Sequence, residues 1–322
     1  MINRTLVRTR VIQNLFAYYN SPDSTPLKAR KELLKSFSST YNLYLILLDL
    51  SNEFVRCAEE QISEGIQRAK VTHRPFKSNR KFVDNKFSNQ LFNNRQLRNA
   101  LAEQHLGWDA ALSSVDALFK QFTATYYYEV FMTREGNAYT EEKRLWRRMY
   151  ENLLPENEEL LSALEEMEIR LDETNWTTDL NVVLSYIIKT IKQFKEDSTP
   201  DQPLLPMFDN EDELKFAEDL LLRSIDKKEE TDALIAAHLK GWDPDRIAFM
   251  DRIILQAALT ELLCFDEIAV EVTLNEYLEL AKEYSGDKSY IFINGILDEI
   301  LRELKNENKL FKAITLKETK NQ

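Results

Sequence analysis

WDPDRIAFMDRIILQAALTELLCFDEIAVEVTLNEYLELAKEYSGDKSYIFINGILDEILREL occupies residues 242–304, and its periodicity decides the fold. Asp243 is an N-cap residue followed by Pro244 at a first helical position. From there Ile247, Met250, Ile254, Ala257, Ala258, Leu262 and Leu263 recur at helix spacing, which predicts a buried helix. FDEIAVEV reads as a loop. Thr273 with Glu276 three residues on reads as a capping box that opens a second helix, with Leu274, Tyr277, Leu278 and Ala281 on its inner face. Ser285-Gly286-Asp287 stops that helix and starts a third. There Ile293, Ile296, Leu297, Ile300, Leu301 and Leu304 form one apolar stripe.

The same period governs the rest of the chain. Residues 4–20 read as a helix with Val7, Val11, Leu15 and Tyr18, plus Ile12, Phe16 and Tyr19, at helix spacing. Thr25 as N-cap and Pro26 at the first position open a long helix predicted to reach about Arg68. Residues 68–86 break the pattern with seven cations against one acid, Asp84. Helical patterning resumes at about Asn89 and runs to Lys195. A segment with Pro200, Pro203 and Pro206 then reads as a linker, and Asn210 with Glu213 as another capping box. With only 6 Gly and 8 Pro in 322 residues there is little turn chemistry for a sheet-based fold. The expectation is an all-α protein. Its parts are a first helix over 1–20, an additional helical region over 21–205, a C-terminal helical module over 206–310 and a flexible tail over 311–322.

Composition excludes several classes. Hydrophobic residues make up 43% and charged residues 30%, a folded rather than a disordered balance. The formal charge of −12 argues against nucleic-acid binding over the whole surface, so any such binding must be local. Cys57 and Cys264 form no motif and read as two reduced, partly buried thiols. His73, His105 and His238 lack metal-ligand spacing, and no phosphate-cradling glycine loop or nucleophile elbow occurs. We therefore expect no enzyme activity, no metal and no cofactor. The N-terminus has no signal-peptide core and no run of about 18 apolar residues is present, so a cytoplasmic protein without a membrane partner is expected.

Three fragments carry a resemblance. Asn275-Glu276 with Glu279-Leu280-Ala281-Lys282, then Phe292-Ile293-Asn294-Gly295-Ile296-Leu297-Asp298, are similar to the "NEAxELAK" and "FVNGVLD" helices of the NusB family. LVRTRVIQNLFAYY resembles that family's opening helix, while residues 21–205 depart from it as an insertion. The resemblance implies NusB-like helical bundles without enzymatic activity. It further implies single-stranded, boxA-like nascent RNA as ligand, a NusE-type small-subunit ribosomal protein as partner, and an RNA polymerase antitermination complex that serves ribosomal RNA transcription. Two other readings stay open. One is a helical scaffold in ribosome assembly without sequence-specific RNA recognition. The other, an accessory module of an RNA-modifying enzyme, would need a glycine-rich cofactor loop downstream.

Local chemistry gives the candidate residues. RNA binding needs cations for phosphates and flat groups for unstacked bases. Arg4 and Arg8 lie one turn apart on one helical face, while Arg10 lies about 200° around from Arg8. Lys288, Phe292 and Gly295 fall on one row of the last helix, suited to a phosphate, a base and a close approach. Asn294 could read a base edge or cap a neighbouring loop; equally, Phe292 could finish the core and Gly295 ease helix packing. In the basic stretch Arg74, Lys77, Arg80 and Lys81 interleave with Phe76 and Phe82, a composition that fits single-stranded RNA or simply a solvated loop. For the protein partner, the resemblance implies Asp251 and the acidic rim around Glu261.

Overall fold

The computed structural model describes residues 1–136, 138–239 and 247–307. Among these residues the secondary structure is helical throughout. In chain order the helices are α1 (Arg4–Asn20), α2 (Pro26–Thr72), α3 (Lys86–Phe92), α4 (Arg95–Glu103), α5 (Leu112–Thr123), α6 (Tyr126–Thr133) and α7 (Tyr139–Asn152). They continue as α8 (Glu158–Leu171), α9 (Trp176–Gln193), α10 (Glu211–Asp226), α11 (Lys228–His238), α12 (Phe249–Cys264), α13 (Val270–Ser285) and α14 (Asp287–Asn306). No helix among the described residues is long and apolar enough to cross a membrane.

The chain divides into two compact units. One comprises Met1 and Ser36–Met207; the other comprises Ile2–Lys35 and the chain from Phe208 on. The units divide inside α2, between Lys35 and Ser36; Thr25 caps this helix by accepting a hydrogen bond from the Lys28 amide at 3.2 Å.

The first unit is built around α2. Leu43, Tyr44, Leu45, Ile46, Leu47 and Leu48 are all buried, so this helix is apolar on every side and must be surrounded. The polar tips of three buried rings reach its carbonyls. Trp108 Nε1 donates to Ile46 O (3.0 Å), Tyr150 Oη to Leu47 O (2.6 Å) and Trp176 Nε1 to Ser39 O (2.9 Å). Each ring thereby buries its large apolar body without orphaning its donor. The proline-containing segment is a strap rather than a loose linker. Leu204 is buried, Pro200 O accepts from the Arg95 amide and Gln202 O from Asn94 Nδ2, all within this unit.

The second unit is organised by α12, against which α1, α10, α11, α13 and α14 all pack. The six stripe residues of α14 are buried, as are Ile254, Ala257, Ala258 and Leu262 of α12. Asn210 caps α10 through the Glu213 amide at 3.1 Å. Gly286, at φ +85°, separates α13 from α14; an L side chain is strained there. One expected boundary moves: α13 begins at Val270, so Thr273 is inside the helix and not at its cap. Its hydroxyl is instead drawn inward to Glu261. The helix start read at Asp243 and Pro244, and the tail over 311–322, lie outside the described residues.

Candidate nucleic-acid interface

Arg8, read from sequence as a surface cation, is buried. Its guanidinium makes a two-pronged pair with Glu261 on α12, Nε to Oε2 and Nη2 to Oε1, both at 2.8 Å. Glu261 is fully buried too, and accepts from Thr273 Oγ1 (2.7 Å) and Tyr277 Oη (3.2 Å) on α13. Burial works against the Arg8 cation, but the bond and charge of Glu261 outweigh it and hold its pKa above the ordinary value. Burial, then the Glu261 charge, keeps the Tyr277 phenol protonated far above its usual range. Two residues assigned to different surfaces, Arg8 to RNA and Glu261 to a protein partner, are thus each other's partners. The reason is geometric: α1, α12 and α13 meet at this point, and a lone charge of either sign could not be left there unpaired.

Arg4, one turn earlier, is half-buried with its guanidinium 4.9 Å from the centre of the Phe216 ring. Arg8 stands 5.5 Å from the same ring, so Phe216 carries two cations. Arg10 is buried and donates to Gln13 Oε1 (2.7 Å), whose amide nitrogen donates to Tyr284 Oη (2.8 Å). This relay ties α1 to the end of α13, immediately before the Gly286 turn that starts α14. Sequence reasoning missed Gln13 and Tyr284, because no motif marks a contact between residues so far apart in the chain.

On α14 Lys288 is exposed, Phe292 and Asn294 are half-buried, and Gly295 is exposed. The Phe292 ring is therefore not sealed in the core. A Cβ built on Gly295 would meet nothing within 4 Å, so no neighbour among the described residues requires a glycine there. Asp251, at the start of α12, is buried. Its Oδ2 accepts from Ser289 Oγ of α14 at 2.9 Å, while Oδ1 has no partner among the described residues.

The basic stretch divides. Arg74, Lys77 and Arg80 are exposed, Arg80 beside Asp84 at 3.1 Å. Lys81 is turned inward, its ammonium donating to the Phe131 and Arg134 carbonyls at 2.6 Å each. Phe82 is a core residue packed on Phe122, Tyr128 and Trp146. Phe76 lies against Gly65, where a Cβ would come within 2.4 Å of its ring. Phe82 is thus taken out of the basic surface by the packing of this unit, whereas Phe76 stays 46% exposed among the cations. Cys57 is buried and donates to Asp116 at 3.3 Å; burial and that carboxylate push its thiol up to about 12, so it stays protonated.

Comparison with known proteins adds what geometry cannot. The NusB family model matches residues 180–302. The transcription antitermination protein NusB of Salinibacter ruber is 38% identical over 109 residues, which cover 34% of this chain and 68% of that protein. The NusB of Bacillus licheniformis is 37% identical over 108 residues, covering 34% of this chain and 84% of the relative. That of Halalkalibacterium halodurans is 41% identical over 101 residues, covering 31% and 75%. No solved structure matches the chain.

Proposed function

This chain belongs to the NusB family, and from that premise we propose that it is a transcription antitermination factor. It acts as a binding protein and not as an enzyme, in the cytoplasm. Its ligand is single-stranded, boxA-like nascent RNA, which it binds together with a NusE-type ribosomal protein within an RNA polymerase antitermination complex.

The observation that carries the RNA part is the row on α14. Lys288 and Phe292 reach solvent one turn apart, beside an exposed Gly295 that no neighbour among the described residues requires. A phosphate on the ammonium, a base on the ring and a strand passing close over the glycine use all three. Asn294 and Arg4 supply hydrogen-bond donors in the same unit, and Arg74, Lys77 and Arg80 are further phosphate donors in the other. For the protein partner, Asp251 is proposed from the resemblance; its carboxylate is buried beside α14, where Ser289 donates to Oδ2. Glu261 and Arg8 support the site from inside by fixing α1 against α12.

The test is fluorescence anisotropy with boxA-like RNA, alone and with the ribosomal protein. Tighter binding in the presence of the protein, weakened by Asp251→Asn, is expected. Partner binding without any RNA affinity would favour the scaffold reading.

A further inference from the structure

Outside the basic stretch, a second group of cations in the first unit lies on α7. This helix carries Lys143, Arg144, Arg147 and Arg148 over two turns, and it forms a ridge between two open cavities. On one side a cavity of about 720 Å³ separates it from α6 and holds Tyr126, Arg134 and Arg148. On the other a cavity of about 780 Å³ separates it from the end of α9 and holds Lys192 and Lys195. Ala138 and Arg144 line both, so the two cavities form one continuous trough over the start of α7.

The acids lining the trough, Glu135, Glu141 and Glu196, are fewer than its cations. Glu141 is shared, 3.1 Å from Arg134 and 3.1 Å from Arg144. Arg147 pairs with Glu151 at 3.2 Å. Arg148, Lys192 and Lys195 are exposed and have no carboxylate partner among the described residues. Lys143 and Lys81 are occupied structurally. Lys143 donates to Lys192 O at the end of α9, and Lys81 to carbonyls at the end of α6, so both walls are braced. In a chain of net charge −12, a local excess of cations on one face is a feature that random placement does not favour.

We propose that this trough is a second RNA-binding surface, separate from α14, which takes a single-stranded backbone across Arg144 and stacks a base on Tyr126. Arg144 and Arg148 lie about 6 Å apart along the helix axis, a step that suits successive phosphates of a stretched strand. Tyr126 is 77% exposed at the rim, an apolar ring with no cover in the fold. An acidic protein segment would meet the arginines but would have no use for that ring. Stacking platforms beside cations are the mark of sequence-tolerant strand binding.

The full chain tests it, with a labelled single-stranded RNA of about 16 nucleotides. Arg144→Gln with Arg148→Gln should weaken binding several-fold and lower the slope of log affinity against log salt by about 0.7 for each phosphate no longer held. Ultraviolet crosslinking should attach RNA to the peptide bearing Tyr126. Both effects should persist in a chain already carrying Lys288→Gln and Phe292→Ala, which separates this surface from the α14 site. Both replaced arginines are exposed, and unchanged helicity by circular dichroism confirms folding. Unchanged affinity and slope in the arginine variant would overturn the proposal, as would loss of the Tyr126 crosslink in the α14 variant. A polyglutamate peptide that depends on these arginines while RNA does not would assign the trough to an acidic protein instead.

Discussion

Two flat partners hold the Arg8 guanidinium, the Glu261 carboxylate in a two-pronged pair and the Phe216 ring nearby. Removing one member of a buried pair leaves the other charged and dry, at a cost of about 3–5 kcal/mol. Arg8→Ala should therefore lower the urea midpoint sharply, while Arg4→Ala, which gives up a half-exposed ring interaction worth about 0.5–1 kcal/mol, should barely move it. RNA affinity that falls together with stability in Arg8→Ala says nothing about direct contact; affinity that falls at an unchanged midpoint would refute the structural role. Asp49 shows the opposite use of burial. Desolvation, only partly offset by the bond from Asn52, raises its carboxyl to about 6. A carboxyl raised in the folded state favours folding where it is protonated and loses that contribution as pH climbs through about 6. Asp49→Asn should thus raise the unfolding free energy at pH 7.5 by an amount on the order of 2 kcal/mol, with the gain shrinking toward pH 4. A gain that grows on acidification would contradict this.

Among the elements, α14 concentrates the evidence for function. Glycine inside a helix costs about 1 kcal/mol relative to alanine, and at residue 295 no neighbour among the described residues compensates. Gly295→Ala should stabilise the second unit by roughly that amount and weaken RNA binding, as seen by paired denaturation and titration. Stabilisation with undiminished binding would remove the glycine from the interface. The helices themselves are largely legible in the sequence. The stripe from Ile293 to Leu304, the Thr25–Pro26 start of α2 and the Gly286 break all appear where spacing and capping chemistry put them. Thr273 misleads because a hydroxyl three residues before a glutamate is a capping signal only when no stronger acceptor competes for it, and Glu261 does. Phe82 misleads for a related reason. Composition shows aromatic rings among cations but cannot show that Trp146 and Phe122 wait to bury one of them.

At the scale of the molecule, sequence reveals charge but not its depth. Arg8, Arg10 and Glu261 read as surface groups because their burial depends on distant helices, whereas Lys288 and Phe292 sit on a helix whose apolar stripe already indicates the outer face. The cations of α7 are not legible as a site in the sequence because no motif marks them and the lysines at the end of α9 that join them are more than 40 residues away in the chain. A protein of net charge −12 that nevertheless binds RNA must do so through such local sites, with a salt dependence set by the few phosphates each holds. The most direct measurement of the account is titration of boxA-like RNA into the parent chain and into Lys288→Gln with Phe292→Ala at several salt concentrations. Loss of a stacked base should weaken the variant about tenfold to a hundredfold, with a shallower salt slope and an unchanged melting temperature. Equal affinity and equal slope for the two proteins would contradict the assignment of RNA recognition to α14.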